Sequence, residues 1–194
     1  MPLILRAGLA FKKFNLGIGT MTKSAVTPTN REETFGEEEI IVSKTDLKGR
    51  ITYANDVFCR VAKFTEKETI GQPHSLVRHP DMPRCVFKLL WDRIEAGQEI
   101  FAYVKNMNRV GDYYWVFAHV TPSFDANGEV IGYHSNRRCP TPEAITAITP
   151  VYKALLDEEN KHEDRKAGLA AGGALLGAVL EEKGIDYDQF IFSL

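Results

Sequence analysis

The stretch from Tyr113 to Asn136 leaves a chain like this few folds to choose from. Tyr114, Val116 and Ala118 alternate with Trp115, Phe117 and His119 along a predicted strand from Tyr113 to Pro122. A period of two sends successive side chains to opposite faces of a sheet. Asp125-Ala126-Asn127-Gly128 follows, and Asn-Gly is the dipeptide that best tolerates the left-handed backbone of a tight hairpin. The chain then returns as a strand over Glu129–Asn136. An earlier strand, Ile100–Asn106, joins through a turn over Met107–Asp112 that contains Gly111. The three read as an antiparallel meander.

Upstream, Glu39–Thr45 and Ile51–Tyr53 are strand-like and flank a turn with Lys48-Gly49, a second hairpin. Asn55 is a natural N-cap for a helix with apolar Val57, Phe58 and Val61. Thr65 and Glu68 make a capping box for a short helical turn. Arg84–Ala96 carries Val86, Phe87, Leu89, Leu90, Trp91 and Ile94 on a broad apolar face and stops at Gly97. Two strands, several short helices and three meandering strands predict an α+β fold, a five-stranded antiparallel sheet with helices grouped on one face. A cavity between the two layers is a natural ligand site.

Three regions are expected: an arm over residues 1–37, a sensor-sized domain over 38–138 and a helical segment over 139–194. The arm has no acidic residue before Glu32 and carries Arg6, Lys12, Lys13, Lys23 and Arg31. It is read as disordered or as preceding a true start at Met21, with a membrane-surface or targeting arm as the alternative. In the C-terminal segment Thr141 caps a helix with Pro142 in its first turn, and Pro150 should start, break or kink a turn. Glu158–Lys166 reads as a solvated charged helix. Gly168-x-x-x-Gly172 and Gly173-x-x-x-Gly177 offer small-residue contact faces. The aromatic tail Asp186–Leu194 must pack back on the domain or dock on a partner.

Composition excludes several classes. A net charge of −2 over 194 residues argues against a nucleic-acid binder. Cys59, Cys85 and Cys139 are odd in number and form no C-x-x-C, which fits a reducing cytoplasm. The five histidines make no H-E-x-x-H, so a protein-bound metal is not expected. Ala167–Leu180 is too short against the roughly 20 residues that span a bilayer. No nucleophile and base stand at a credible spacing, and no phosphate-loop motif occurs, so an enzyme is not expected.

The chemistry is concentrated in Gly71–Pro83, G-Q-P-H-S-L-V-R-H-P-D-M-P. Pro73, Pro80 and Pro83 fix φ and restrain the residues before them. Arg78, His79 and Asp81 therefore sit on a stiff backbone, which suits groups that meet a ligand at set angles.

Together with I-T-Y-A-N-D-x-F, L-W-x-x-I-x-x-G and V-K-N-x-x-x-x-G-x-Y-Y-W-V, this stretch makes Asp46–Arg138 resemble a PAS domain. The V-R-H-P-D-M-P segment is similar to the sensor domain of bacterial aerotaxis receptors in particular. The resemblance implies a bound FAD that reports oxygen or redox state. By motif, Arg78, His79 and Asp81 match the family's flavin-binding cluster, and Asn55 matches its A-N-D asparagine. Trp91 and Asn106 match a helix tryptophan and a strand asparagine that lie by the flavin in related redox-sensing PAS domains. An arginine fork suits phosphate oxygens, whereas Asp81 is expected to orient Arg78 or His79 or to bond ribose or the loop backbone. Ile100 stands where the family usually has tryptophan.

The expected function is a cytoplasmic redox or oxygen sensor of the aerotaxis or energy-taxis type. It would signal without turnover to a protein partner in a chemoreceptor or kinase pathway, as a homodimer. The alternatives are a cofactor-free PAS dimerisation module and a haem gas sensor using His74, His79, His119 or His134. A blue-light cysteine adduct is not expected, because S-L-V-R-H-P has no cysteine.

Overall fold

Five strands form one antiparallel sheet in the computed structural model, which describes residues 26–194. They are β1 (Ile41–Thr45), β2 (Ile51–Ala54), β3 (Ile100–Met107), β4 (Tyr113–Phe124) and β5 (Val130–Arg138), in the order β2-β1-β5-β4-β3. The fold is α+β, as the sequence predicts. Between β2 and β3 come α1 (Asp56–Ala62), α2 (Glu66–Thr69), a 3₁₀ turn (His74–Val77) and α3 (Arg84–Glu95). After β5 follow α4 (Pro142–Asn160), α5 (Arg165–Lys183) and α6 (Tyr187–Phe192).

The caps foreseen from the sequence form. Asn55 accepts from the Phe58 N–H, Thr65 and Glu68 make a reciprocal capping box, and Thr141 accepts from the Ala144 N–H. Gly128 turns the β4–β5 hairpin with φ +82. Of the expected arm, residues 1–25 lie outside the described residues. From Thr29 onward the chain is bonded to the β3–β4 turn. The Thr29 N–H donates to the Gly111 carbonyl at 2.9 Å, and the Tyr113 and Glu33 N–H groups donate to the Arg31 and Tyr113 carbonyls. Asp112 accepts from Thr29 Oγ1 at 2.6 Å and from Lys63 Nζ at 2.9 Å.

One face of the sheet packs against α1–α3 and buries Ile41, Ile51, Ile100, Val116 and Phe58. The other face carries Phe101, Phe117 and His119, with Phe101 stacked on His119 at 4.1 Å. The C-terminal helices partly cover that second face. Trp115 stacks on Tyr152 of α4 at 6.3 Å, and Phe192 of α6 lies 4.8 Å from Phe101. The aromatic tail thus folds back, burying Phe190 and Ile191 while Phe192 stays 58% exposed.

Three expectations for the C-terminal segment change. Pro150 lies inside a continuous α4; a proline there forfeits one backbone hydrogen bond, and the burial of Ile148, Tyr152 and Leu155 holds the helix regardless. Glu158–Lys166 is not one solvated helix: α4 ends at Asn160, α5 starts at Arg165, and Glu159 is fully buried. The Glu159 carboxylate accepts from the Arg84 N–H (3.0 Å), the Cys85 N–H (2.7 Å) and Arg84 Nε (2.8 Å), which caps the start of α3. The second glycine pair faces open space, but a Cβ on Gly168 would sit 2.3 Å from the Glu159 carbonyl and one on Gly172 2.7 Å from Glu159 Cγ. Gly168 and Gly172 let α5 close over the buried carboxylate.

Replacing Glu159 with alanine leaves three donors without their acceptor. A buried unsatisfied donor costs about 1–3 kcal/mol, so Glu159→Ala is expected to lower stability by about 2–3 kcal/mol. Urea unfolding measures this, and a loss below about 0.5 kcal/mol, near a twofold change in equilibrium constant, would refute the clamp.

Candidate functional site

Between the sheet and the helices lies a cavity of about 280 Å³. Its apolar walls are Phe87, Leu90, Trp91 and Ile94 of α3 and Val104, Ala118 and Val120 of the sheet. Gly49 closes one end with φ +71, and a Cβ there would approach Trp91 Cη2 to 2.9 Å. The turn therefore needs glycine twice over, for its backbone and for the indole. Trp91 also meets Tyr133 edge-on at 5.5 Å.

The polar lining is cationic. Lys48, Arg78 and Arg137 border the cavity, and none of its lining residues is acidic. Arg78 lies over the Phe87 ring, 4.1 Å from its centroid, and Nη2 donates to the Met82 carbonyl at 3.1 Å. Burial pulls its pKa down, Glu159 raises it, and Arg84 and Arg165 lower it further. Asn106 is 4% exposed, and its carboxamide makes no hydrogen bond to the described residues. An amide in that state can donate to or accept from a ligand.

Arg137 is the group that sequence reasoning missed. It is 4% exposed at the end of β5. Its Nη2 donates to Ser43 Oγ at 2.8 Å and to His74 Nε2 at 2.6 Å, while Nη1 has no partner among the described residues. Since arginine only donates, His74 Nε2 must be the acceptor, and the ring is neutral. Burial and the Arg137 charge together push His74 down to about 3. Burial also brings the guanidinium down to about 10, against the pull of Tyr114.

Of the six residues singled out from sequence, Arg78, Trp91 and Asn106 line the cavity together. His79, Asp81 and Asn55 do not. His79 is buried against Tyr113, its Nδ1 accepting from the Asp81 N–H at 3.1 Å and its Nε2 unpartnered among the described residues. Asp81 is exposed, 3.4 Å from His79 Nδ1 and paired with Lys105 at 2.7 Å. Asn55 serves as a cap that also ties α1 to β1, accepting from the Val42 N–H and donating to the Ile40 carbonyl. Among the described residues, no cysteine borders the cavity and no group of side chains is arranged to hold a metal.

A family model described as PAS fold matches residues 51–137, the span that builds most of this cavity. The chain carries a PAS domain. The aerotaxis receptor of Escherichia coli (strain K12) is 41% identical over 127 residues, 66% of this chain and 25% of the receptor. The nitrogen fixation regulatory protein of Klebsiella pneumoniae is 28% identical over 102 residues, 53% of this chain and 21% of the regulator. The chain thus spans a quarter or less of the length of these relatives. A solved light-oxygen-voltage domain studied with a flavin analogue superposes with a TM-score of 0.52 at 17% identity, covering 64% of this chain and 90% of that one, a likeness of fold. This PAS domain resembles the sensor region of aerotaxis receptors, and no helix among the described residues is long and apolar enough to cross a membrane.

The neutral His74 has a consequence for stability. Its folded pKa of about 3 lies below the ordinary 6.5, so acidification favours the unfolded chain, which takes up the proton first. Stability should fall as pH drops below 6.5, by up to about 1.4 kcal/mol per pH unit for one such group. His79, also lowered by burial and Lys105, acts in the same direction. His74→Asn is therefore expected to lose less stability than the wild type between about pH 7 and pH 5 in urea unfolding. Equal losses would show that His74 is not held neutral.

Proposed function

We propose that this PAS domain is a cytoplasmic FAD-binding redox or oxygen sensor of the aerotaxis or energy-taxis type, which works by conformational change and not by turnover. One observation carries the reading: three cations and an unpartnered carboxamide border an apolar cavity that has no acidic residue. Burying a guanidinium short of partners is costly. A cofactor-free module gains nothing from that cost, whereas an electron-rich polar ligand offsets it. The haem alternative is less well supported, because both imidazoles that border the cavity already have Nε2 engaged, His74 by Arg137 and His134 by Asn136.

The residues suit part of a flavin dinucleotide. Drug-sized ligands occupy roughly 300–1,000 Å³, so a cavity of about 280 Å³ takes a ring system and leaves the remainder of the molecule outside. Trp91, Phe87 and Leu90 would hold the ring's faces, and Asn106 and Arg137 its polar edge. When bound, the flavin would supply a centre that reversibly accepts electrons and protons. Asn106 can exchange donor for acceptor by turning its amide. It stands on β3, where the Tyr103 carbonyl accepts from the Tyr152 hydroxyl of α4 at 2.8 Å. A change in bonding at Asn106 would thus reach α4 through one strand and, from there, a signalling protein partner. The similarity to the aerotaxis receptor supports such a partner in a chemoreceptor or kinase pathway. The reading extends to a homodimer, the commonest symmetric assembly.

The test begins with a spectrum. Purified protein, as isolated or after adding FAD, should show flavin absorption that bleaches with dithionite; colourless protein that takes up no FAD would sink the proposal. Arg137→Met separates binding from folding. It removes a buried, under-partnered charge, so thermal stability without cofactor should hold or rise, while FAD affinity should fall about 10–100-fold, the weight of a charged hydrogen bond. Unchanged affinity would remove Arg137 from the site.

A further inference from the structure

Arg78 borders a second space as well as the first. Arg78 also lines a cleft of about 410 Å³ between the Pro80–Arg84 segment and the helices α4 and α5. Arg84, Asn160 and Arg165 complete its polar lining. Arg84 is held there by Glu159, with Nε at 2.8 Å from the carboxylate and Nη2 3.4 Å from the Glu159 carbonyl. Arg165 is exposed and makes no hydrogen bond or ion pair with the described residues. Three arginines thus border one cleft, and the one carboxylate beside them, Glu159, is paired with Arg84, leaving an excess of two positive charges.

Like charges gathered at one place repel, and clustering them is favourable only where an anion answers them. Arginine forks bind phosphate oxygens two at a time. The pyrophosphate of a dinucleotide is doubly anionic and matches the excess. The cavity holds a ring system but not a whole dinucleotide, and Arg78 belongs both to its lining and to that of the cleft. A ligand seated with its ring in the cavity therefore has a cationic path from one space to the other.

We propose that the cleft formed by Arg78, Arg84, Asn160 and Arg165 is the seat of the pyrophosphate of a bound flavin dinucleotide, so that the C-terminal helices are part of the binding site. This rests on the flavin reading above. The V-R-H-P-D-M-P motif supplies only one side of the seat. Asn160 ends α4 and Arg165 opens α5, both far along the chain from the motif, and both border the same cleft as Pro80 and Met82.

The test uses the full chain freed of flavin, titrated with FAD and with riboflavin, which has the same ring and no phosphate. The wild type is expected to bind FAD about 100-fold more tightly than riboflavin, the weight of one to two charged hydrogen bonds, with the difference shrinking as salt is raised. Arg165→Ala should weaken FAD about 10-fold and Arg165→Glu more, with riboflavin unchanged in both. Because Arg165 is exposed and unbonded, neither change threatens the fold. Equal affinity of the wild type for the two ligands, or an Arg165→Glu protein that binds FAD as the wild type does, would overturn the phosphate seat while leaving the ring site intact. Failure of the wild type to bind either ligand would overturn the flavin reading itself, and the seat with it.

Discussion

β3 lies at the edge of the sheet, and the free backbone groups of an edge strand must find partners or invite another chain. Here they are met from two directions. Arg78 makes an antiparallel bridge with Asn106, and the Lys105 N–H lies 3.2 Å from Met82 Sδ. The Tyr103 carbonyl takes the Tyr152 hydroxyl. The first two contacts lay the proline-braced segment along the strand, and the third fixes α4. One strand therefore sets the position of Arg78 and Asn106 in the cavity, the approach to α3 and the course of the chain after β5.

Two of the buried charges, Glu159 and Arg137, are treated in opposite ways. Glu159 has every requirement met: burial would raise its pKa, but the Arg84 side chain and the Cys85 and Arg84 N–H groups outweigh burial and hold it below 4.5. Its charge belongs to the folded structure and needs nothing from outside. Arg137 has a hydroxyl, a neutral imidazole and one nitrogen with no partner among the described residues. Breaking an ion pair inside a protein costs several kcal/mol, and Arg137 bears a cost of that kind permanently. A ligand that binds only the folded state returns it as added stability.

The layers and caps were legible because their signals are local. Asn127-Gly128, Thr65 with Glu68, and Thr141-Pro142 each act within a few residues. Arg78, Trp91 and Asn106 came from motif resemblance, since no spacing distinguishes a cavity tryptophan from a core one. Arg137 was missed because the strand was ended at Asn136; carrying the alternation of Tyr133 and Ser135 one step further brings it to the inner face. Glu159 sits in the run D-E-E-N, where nothing local separates it from its solvated neighbours. Its burial is decided by α3 and by two glycines on another helix. His79 shows the converse: the motif names it, and the backbone turns it away from the cavity.

For a sensor of the proposed kind, the magnitudes must allow a signal. A single hydrogen bond to a buried polar group is worth about 1–3 kcal/mol when left unmade, and a coupling of that size shifts a two-state equilibrium about 5–150-fold. One altered bond at Asn106 is therefore enough, provided that β3 has two arrangements to choose between. The Tyr103–Tyr152 bond is a suitable place for that choice. It joins strand to helix through a single hydroxyl, whereas the Glu159 clamp secures the far end of α4 with three hydrogen bonds. At its C-terminal end the helix is fixed by hydrogen bonds to a buried charge, whereas beside the strand it is fixed by that one hydrogen bond and by packing of Tyr152 on Trp115, so a change at Asn106 would reach α4 through the Tyr152 contacts.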